Sequence, residues 1–156
     1  MSSELRIGII GCGEVAVDTC MAIGATDNAS IAMLMDTRPE VLRDLAEMYS
    51  APTTTEVDDV LNNPDVDAVY VATPHDLHVP IGVRAARAGK HILMEKPIAT
   101  NLADADTLIA ACREHDVALG VAFYAQTDAN LNYARNLVRA GLLGDIVSVR
   151  LTYLGD

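Results

Sequence analysis

Small residues at three spaced positions predict a turn that can hold a phosphate group. They lie in the segment Gly11-Cys12-Gly13-Glu14-Val15-Ala16. In a G-x-G-x-x-A turn, Gly11 permits the tight bend, Gly13 lets a pyrophosphate approach the backbone, and Ala16 lets the next helix pack close to a strand. The amide groups of this turn would bind the pyrophosphate, because the helix dipole favours negative charge at the N-terminus.

The elements around this turn follow the order of a dinucleotide-binding βαβ unit. An apolar run over residues 5–10 predicts a buried strand, residues 15–23 an amphipathic helix, and residues 31–35 a second buried strand. This strand ends in Asp36, twenty residues beyond the turn, where a carboxylate would accept hydrogen bonds from the adenosine ribose hydroxyls. A chance G-x-G in an ordinary turn is the alternative, which the surrounding pattern disfavours. We predict NAD as the cofactor, with Arg38 able to turn toward a 2′-phosphate and permit NADP.

Two further polar segments follow apolar runs later in the chain. Residues 73–78 (Thr-Pro-His-Asp-Leu-His) come after a predicted strand at 68–72, and Glu95-Lys96-Pro97 comes after a predicted strand at 91–94. In a parallel sheet the carboxyl ends of the strands lie at one edge, where ligands bind. We therefore expect these two segments, the phosphate-binding turn and the acid after the second strand to form one site.

Apolar strands alternate with helical periodicity through about residue 140, without an internal repeat. This alternation predicts an α/β fold with a doubly wound, mostly parallel Rossmann sheet and helices on both faces. After Asp36, the pattern predicts strands at 68–72, 91–94 and 117–122 and helices at 41–49, 54–61, 77–88, 102–112 and 128–140. Thr54 or Thr55 would cap the second of these helices, and Thr100 or Asn101 the fourth.

Residues 146–154 differ from the segments before them because polar and apolar side chains alternate. The apolar ones, at every second position from 147 to 153, would lie on one face, as is typical of a half-exposed antiparallel strand. We therefore expect a dinucleotide-binding domain over residues 1–143 and the start of a truncated second domain over residues 144–156. An unpaired strand exposes backbone donors and acceptors, so we expect this strand to be mobile or to pair with a second copy in a dimer.

The composition excludes several classes of protein. The 156 residues are 51% hydrophobic, which suits a folded domain with a core, and the net charge of −11 would repel nucleic acid and acidic membranes. The N-terminal segment lacks the pattern of a signal peptide, and the apolar runs are too short to cross a bilayer. Three cysteines, Cys12, Cys20 and Cys112, form no C-x-x-C motif, which favours a reduced, cytoplasmic setting.

His75 and His78 offer an alternative kind of site, because residues three apart lie on one face of a helix and can hold a metal ion. The sequence gives no third ligand for them, and Pro74 begins a loop there, so we predict no metal site. A structural hydrogen bond of His78 and an ion pair between Glu95 and an arginine are alternatives to cofactor contacts.

Together these motifs resemble those of the Gfo/Idh/MocA family of oxidoreductases. The resemblance rests on the turn at residues 11–16, Ala72-Thr73-Pro74-His75-Asp76-Leu77-His78, Glu95-Lys96-Pro97 and Ala140-Gly141-Leu142-Leu143-Gly144-Asp145-Ile146. It covers nearly the whole chain, and the Glu-Lys-Pro segment is its most specific part. It implies a Rossmann domain followed by an open-faced α/β domain, and hydride transfer between NAD or NADP and a sugar, a cyclitol or a related polyol.

The resemblance also implies roles for individual residues. Lys96 would hydrogen-bond the reacting hydroxyl or carbonyl group and stabilise the oxygen that becomes alkoxide-like as hydride leaves. Glu95 would bind or orient the cofactor, and Pro97 would fix the backbone around both. The dinucleotide cleft would be lined by Thr73, Pro74, His75 and His78.

Two departures from the family pattern bear on catalysis. Gln126 and Ala129 stand where many relatives have an arginine and then a proline, so Gln126 can still donate a hydrogen bond to cofactor or substrate but brings no charge. The family's acid/base residues, often a His with an Asp, lie in its second domain, and general acid–base catalysis contributes about 10²–10⁴-fold. We therefore expect the 156-residue chain alone to be a very poor catalyst.

The sequence thus favours the NAD(P)-binding part of a cytoplasmic oxidoreductase that acts on a small sugar or polyol and assembles as a homo-oligomer. The alternative is a stand-alone dinucleotide-binding or sensing module without catalytic activity. Lys96 favours the oxidoreductase, since a pure binding module has less need of a lysine at the hydride-transfer end.

Overall fold

The computed structural model describes residues 4–150 and Thr152, and within them six strands form one sheet. The strands are β1 (Leu5–Ile10), β2 (Ala29–Met35), β3 (Thr53–Thr54), β4 (Ala68–Val71), β5 (His91–Met94) and β6 (Leu119–Val121). Every pair of neighbouring strands is parallel, and their spatial order is β3-β2-β1-β4-β5-β6.

This strand order places a crossover at the centre of the sheet. Strand β1 pairs with β2 on one side and with β4 on the other, so the chain passes from one half of the sheet to the other between β3 and β4. The order confirms the predicted doubly wound Rossmann fold. In such sheets ligands bind in the crevice outside the carboxyl ends of the strands at the switch point, here β1 and β4.

Helices connect the strands and agree with the sequence pattern to within a few residues, except at the third helix. They are α1 (Glu14–Gly24), α2 (Arg43–Tyr49), α3 (Val57–Leu61), α4 (His75–Arg87), α5 (Leu102–Glu114) and α6 (Ala129–Arg139), with 3₁₀ turns at Pro39–Val41 and Tyr124–Gln126. In the described part of the chain, none of the helices has the length and apolar character needed to span a bilayer.

Alternation of side chains along the strands creates two apolar clusters, one on each face of the sheet. Val69 and Val71 of β4 pack in one cluster with residues of α3, α4 and α5. Tyr70, between them, points into the other cluster with residues of α1 and α2. Helices therefore cover both faces, and each buried Val or Leu side chain adds about 1.5–3 kcal/mol to the stability of this arrangement.

The segment before α3 differs from its prediction. Thr54 was expected as a possible cap of a helix over residues 54–61, but it pairs with Met35 as the last residue of β3, and α3 begins only at Val57. The hydroxyl of Thr54 accepts a hydrogen bond from the amide of Glu56 at 3.1 Å and donates one to Asp59. Thr54, which the helical pattern assigned to the start of the helix, thus belongs to the edge strand β3.

Local signals explain the ends of α4 and α5. Helix α4 starts at His75, two residues earlier than predicted, directly after Pro74, whose φ of −51° and ψ of 143° end the extended segment. The helix stops before Gly89, which has a φ of +72°, a conformation that favours glycine. At the start of α5, the side chain of Asn101 accepts a hydrogen bond from the amide of Asp104 at 2.9 Å, which confirms Asn101 as the cap.

The chain divides into two compact units, Met1–Ala122 and Phe123–Asp156. The first contains the whole sheet. In the second, Asp128 caps α6 by accepting a hydrogen bond from the amide of Leu131 at 2.8 Å, and the predicted helix over residues 128–140 is confirmed. The predicted domain boundary between residues 143 and 144 stays a prediction.

The predicted strand over residues 146–154 is wrong for the residues that the structure describes. Residues 146–150 and Thr152 adopt no strand, and the side chains of Val147 and Val149 are 96% and 84% exposed. A ladder of hydrogen bonds requires a neighbouring strand, and the described part of this single chain supplies none to the segment. Leu151, Tyr153 and Leu154 lie outside the described residues.

Candidate functional site

A cleft of about 390 Å³ opens at the carboxyl edge of the sheet, at the switch point between β1 and β4. The loops after β1, β2 and β4 supply most of its wall, and α3 and α4 supply apolar side chains. It is lined by Gly11, Gly13, Met35, Asp36, Thr37, Arg38, Val57, Ala72, Thr73, Pro74, Leu77 and Ile81. The structure thus brings together six residues that the sequence assigned to one site: Gly11, Gly13, Asp36, Arg38, Thr73 and Pro74.

The two glycines of the turn after β1 serve different needs. Gly11 has a φ of +90°, and a Cβ built on it would lie 2.6 Å from the carbonyl oxygen of Ala72, so a side chain fits neither the conformation nor the space. A Cβ on Gly13 would meet no protein atom within 4 Å. Gly13 therefore leaves open a part of the cleft that a larger residue would fill.

Asp36 lies at the end of β2 with only 6% of its surface exposed. Its Oδ2 accepts a hydrogen bond from the amide of Cys12 at 3.0 Å, and its Oδ1 accepts bonds from the amide and the Nε of Arg38 at 2.9 and 3.2 Å. Burial alone would raise the pKa of Asp36, but the hydrogen bonds from Arg38 and Cys12 outweigh it and lower the pKa. Asp36 is thus an anionic acceptor facing the cleft.

Thr73 provides a polar group without a partner. Its Oγ1 is buried and has no hydrogen-bond partner within the described residues. Buried hydroxyl groups are nearly always hydrogen-bonded, so this one needs a partner that the described residues do not supply, such as a polar ligand or a water molecule. Pro74, the next residue, lines the same cleft and precedes the first turn of α4.

These features fit a dinucleotide. No side chain caps the N-terminus of α1 at Gly13, so amide groups there remain available to a pyrophosphate. The space above Gly13, the unpaired hydroxyl of Thr73 and the carboxylate of Asp36 add room, a hydrogen-bonding group and an acceptor for ribose hydroxyls. These protein groups suit a nucleotide cofactor. Arg38, whose side chain is 59% exposed, lies beside Asp36.

At the end of β5, Glu95 is turned inward and Lys96 outward. The Oε1 of Glu95 accepts a hydrogen bond from the hydroxyl of Tyr70 at 2.7 Å, and its Oε2 accepts one from the amide of Lys96 at 3.0 Å. Glu95 is 6% exposed, and no ion pair with an arginine forms within the described residues. Lys96 is exposed, and the peptide bond between Lys96 and Pro97 is cis.

The other residues of the turn after β1 contribute mainly through the backbone. The Sγ of Cys12 lies 3.5 Å from the carbonyl oxygen of Met35, and burial raises the pKa of this thiol to about 12. Ala16 is fully buried between α1 and the sheet. Glu14 and Val15 begin α1 with exposed side chains.

His75 and His78 do not line the cleft. His75 is the exposed first residue of α4, whereas His78 is completely buried and its two ring nitrogens lie next to backbone carbonyl oxygens. Gln126 belongs to the 3₁₀ turn of the second unit, where its carbonyl oxygen accepts a hydrogen bond from the side chain of Asn132 at 2.9 Å. Across residues 4–150 and Thr152, no three Cys, His, Asp or Glu side chains gather as metal ligands would.

Comparisons with known proteins assign the chain to a family. The model of the Gfo/Idh/MocA oxidoreductase family, NAD-binding Rossmann fold, matches residues 5–123. The chain belongs to the Gfo/Idh/MocA family. This result confirms the resemblance carried by the motifs. The cleft of this Gfo/Idh/MocA protein opens at the switch point of the sheet, where dinucleotides bind in Rossmann folds.

Named relatives of this Gfo/Idh/MocA protein act on sugars and cyclitols. It is 33% identical to dTDP-3,4-didehydro-2,6-dideoxy-alpha-D-glucose 3-reductase of Streptomyces violaceoruber, over 96% of this chain and 44% of that protein. It is 30% identical to myo-inositol 2-dehydrogenase of Thermotoga maritima, over 95% of this chain and 45% of that protein. The chain thus spans less than half the length of these curated relatives.

A solved structure of the family agrees with the fold. The WlbA dehydrogenase from Bordetella pertussis, in complex with NADH and UDP-GlcNAcA, matches with a TM-score of 0.86 and 30% identity. The match covers 92% of this Gfo/Idh/MocA chain and 42% of that one.

One residue of the site was missed by the sequence analysis. Tyr70 lies in the apolar strand β4 and donates to Glu95, but the pattern of the strand showed it only as a core residue. A signal was present, because a phenol hydroxyl inside an otherwise aliphatic buried strand needs a polar partner. The partner itself comes from β5, and no local pattern could name it.

Proposed function

We propose that the cleft binds NAD. The main support for this proposal is that Gly13, Asp36 and Thr73 all line the cleft. Asp36 would accept hydrogen bonds from the ribose hydroxyls, and the amides of Glu14 and Val15 at the uncapped N-terminus of α1 would bind the pyrophosphate. The open space over Gly13 and the unpaired Thr73 hydroxyl support this assignment. Arg38 beside Asp36 would permit some binding of NADP.

We propose further that the protein is an oxidoreductase acting on a sugar, a cyclitol or a related polyol. When bound, the nicotinamide cofactor supplies or accepts the hydride. Lys96 would bind the reacting oxygen, and its ammonium charge would stabilise the negative charge that develops there. Support comes from its exposed position at the carboxyl end of β5 and from the names of the relatives.

The remaining predicted residues would act around these two. Glu95, fixed by Tyr70 and by the amide of Lys96, would orient the loop that carries the lysine. Gln126 and His75 would add hydrogen bonds to the cofactor or substrate. We propose that residues 144–156 begin a second domain.

The first experiment tests binding with two glycine variants of the same turn. Gly13→Val should fold with a midpoint of thermal unfolding (Tm) near that of the wild type, because a Cβ at this position meets no protein atom within 4 Å and the φ of −71° suits any residue, but it should lose NAD binding in calorimetric titration. Gly11→Ala should lower the Tm, because its Cβ meets the carbonyl of Ala72. Wild-type affinity for NAD in Gly13→Val would contradict the proposed site.

The second experiment tests catalysis in the protein that carries this chain. Lys96→Ala should lower kcat strongly and leave NAD affinity within a few-fold, because the lysine would act on the transition state rather than on the cofactor. Arg87→Ala removes the same charge at the far end of α4 and serves as the control. Undiminished turnover in Lys96→Ala would place the chemistry elsewhere, and NAD binding without turnover of any sugar or polyol would favour a non-catalytic module.

We propose that the protein is cytoplasmic and forms a homo-oligomer through residues 146–154. The described valines of this segment, Val147 and Val149, are almost fully exposed, and the three cysteines are free thiols. Light scattering should show a dimer for the chain and a monomer for a version ending at Leu143. The same oligomeric state for both versions would contradict the role of residues 146–154. Secretion of the protein would contradict the cytoplasmic location.

A further inference from the structure

The ring of His78 lies between the two loops that form the site. His78 belongs to the first turn of α4, and none of its surface is exposed. Its Nδ1 lies 2.8 Å from the carbonyl oxygen of Pro97, in the loop after β5. Its Nε2 lies 2.9 Å from the carbonyl oxygen of Thr73, in the loop after β4. One buried side chain therefore contacts both loops.

The nature of these two contacts decides which form of the ring fits them. A carbonyl oxygen only accepts hydrogen bonds, whereas a neutral imidazole has one N–H donor and one bare nitrogen. A neutral ring would therefore bring a nitrogen lone pair against a carbonyl oxygen in a place that water does not reach. A ring protonated at both nitrogens donates to both oxygens.

We propose that His78 is a positioning residue whose ring, protonated at both nitrogens, ties the loop of Thr73 to the loop of Lys96. Thr73 lines the cleft, and Lys96 is the residue assigned to the reacting oxygen. In this proposal His78 contacts neither the cofactor nor the substrate, and it acts through the backbone carbonyl groups of Thr73 and Pro97. What the loops bind rests on the proposed function, but the protonation of the ring does not.

The segments that carry His78 and its two carbonyl partners also carry charged and titratable groups. On α4 they are His75, whose ring centroid lies 5.5 Å away in an edge-on arrangement, and Asp76 in the same turn. In the loop after β5 they are Glu95 and Lys96. The loop of Thr73 and Pro74 carries none.

Opposing effects act on the protonated ring. Burial and the N-terminus of α4 disfavour a positive charge, and the two charge-assisted hydrogen bonds favour it. A ring that lacks one of the two protons keeps only one of the two hydrogen bonds, so the link between the loops requires both protons.

Nitrogen-15 spectra of the labelled chain test the protonation directly and without any ligand. At about pH 6, His78 should show two protonated ring nitrogens whose protons exchange slowly with water. His78→Gln identifies its signals by their loss, and His115→Gln, at an exposed histidine, is the matched control. A bare ring nitrogen on His78 at this pH would overturn the proposal. The slow exchange also marks His78 in the wild type, so the test stands even when the variant does not fold.

Calorimetric titration with NAD tests the positioning role. The wild type and His115→Gln should bind NAD with equal affinity. His78→Gln should bind it several-fold more weakly, because an amide side chain cannot donate from two ring nitrogens to both carbonyl groups. Wild-type affinity in His78→Gln would overturn the role. Failure of the wild type to bind NAD would overturn the proposed function, and the nitrogen spectrum alone would then decide on the ring.

Discussion

The carboxylate of Asp36 is already occupied by three hydrogen bonds, and this shapes how it can bind a ligand. A carboxylate offers about four lone-pair sites, so one site remains free. Release of the exposed Arg38 side chain would free a second site, and two ribose hydroxyls could then be bound together. A 2′-phosphate would instead face the carboxylate at close range, and Arg38 could offset this repulsion.

The first prediction concerns the choice of cofactor. Asp36→Ser should weaken NAD binding by about 10- to 100-fold, because hydrogen bonds to a charged group are worth about 1.5–3 kcal/mol. It should also narrow the difference in affinity between NAD and NADP, measured by calorimetric titration with both. Asp27→Ser, at an exposed acid in the loop before β2, is the control. Tighter binding of NADP than of NAD by the wild type would reverse the assignment.

The second prediction concerns the support of Glu95. Tyr70→Phe keeps the ring in the core but removes the hydroxyl that donates to Glu95. An unpaired buried acceptor costs about 1–3 kcal/mol, so the free energy of unfolding in urea should fall by that amount. Tyr124→Phe, at a tyrosine that is 64% exposed, should change it little. A stability of Tyr70→Phe equal to that of the wild type would show that Glu95 finds another donor.

The roles of single residues were predictable where the residue type and its spacing in the sequence indicate the role. Gly11, Gly13 and Asp36 stand out because few residues suit a phosphate turn or a ribose acceptor, and the structure places them in one cleft. His78 and Tyr70 were not, because their roles depend on partners brought in by other strands. Such partners follow from the packing and have no local signature.

At the scale of elements, an ion pair joins β1 and β4 at the end opposite the cleft. The guanidinium of Arg6 donates to both oxygens of Asp67, at 2.8 and 3.0 Å, and its amide adds a bond of 2.9 Å. The hydrogen bonds from the Arg6 side chain lower the pKa of Asp67 to about 2. The ion pair thus fixes the two strands that frame the crevice to each other at the end away from it.

The third prediction gives this pair a pH dependence. Since the pKa of Asp67 is lower in the folded than in the unfolded chain, the stabilisation is present above the unfolded value and is lost as the pH falls toward about 2. Asp67→Asn should therefore have a lower Tm than the wild type at neutral pH, and the difference should shrink below about pH 4. Asp18→Asn, at an exposed acid of α1, is the control. A difference in Tm that stays constant down to the lowest pH would contradict the ion pair.

Whole elements were predictable in proportion to their length and regularity. Strands β1, β4 and β5 and helices α1, α5 and α6 followed from apolar runs and helical spacing, because burial imposes those patterns. Strand β3 has two residues and therefore no period to detect. The alternating segment after residue 145 has the pattern of a strand, but pattern alone does not supply the neighbour that a strand requires.

The whole chain carries 22 acidic and 11 basic residues, so its folded state concentrates unbalanced negative charge. Mutual repulsion of like charges destabilises a compact state. Salt shortens the range of this repulsion, from about 10 Å at 0.1 M to about 3 Å at 1 M. Ion pairs such as that of Arg6 and Asp67 are weakened by the same screening, but within residues 4–150 four ion pairs leave most of the acids without a basic partner.

The last prediction follows from this balance. The Tm of the chain should rise between low and molar potassium chloride at neutral pH, because screening relieves more repulsion than attraction. The same comparison at about pH 4.6, the isoelectric point calculated from the sequence, should show little or no rise, since the net charge is then near zero. Chloride is the suitable anion, because sulfate would stabilise a fold of any charge by strengthening apolar burial. An unchanged Tm at neutral pH, or an equal rise at both pH values, would show that the acidic surface does not limit the stability of the fold.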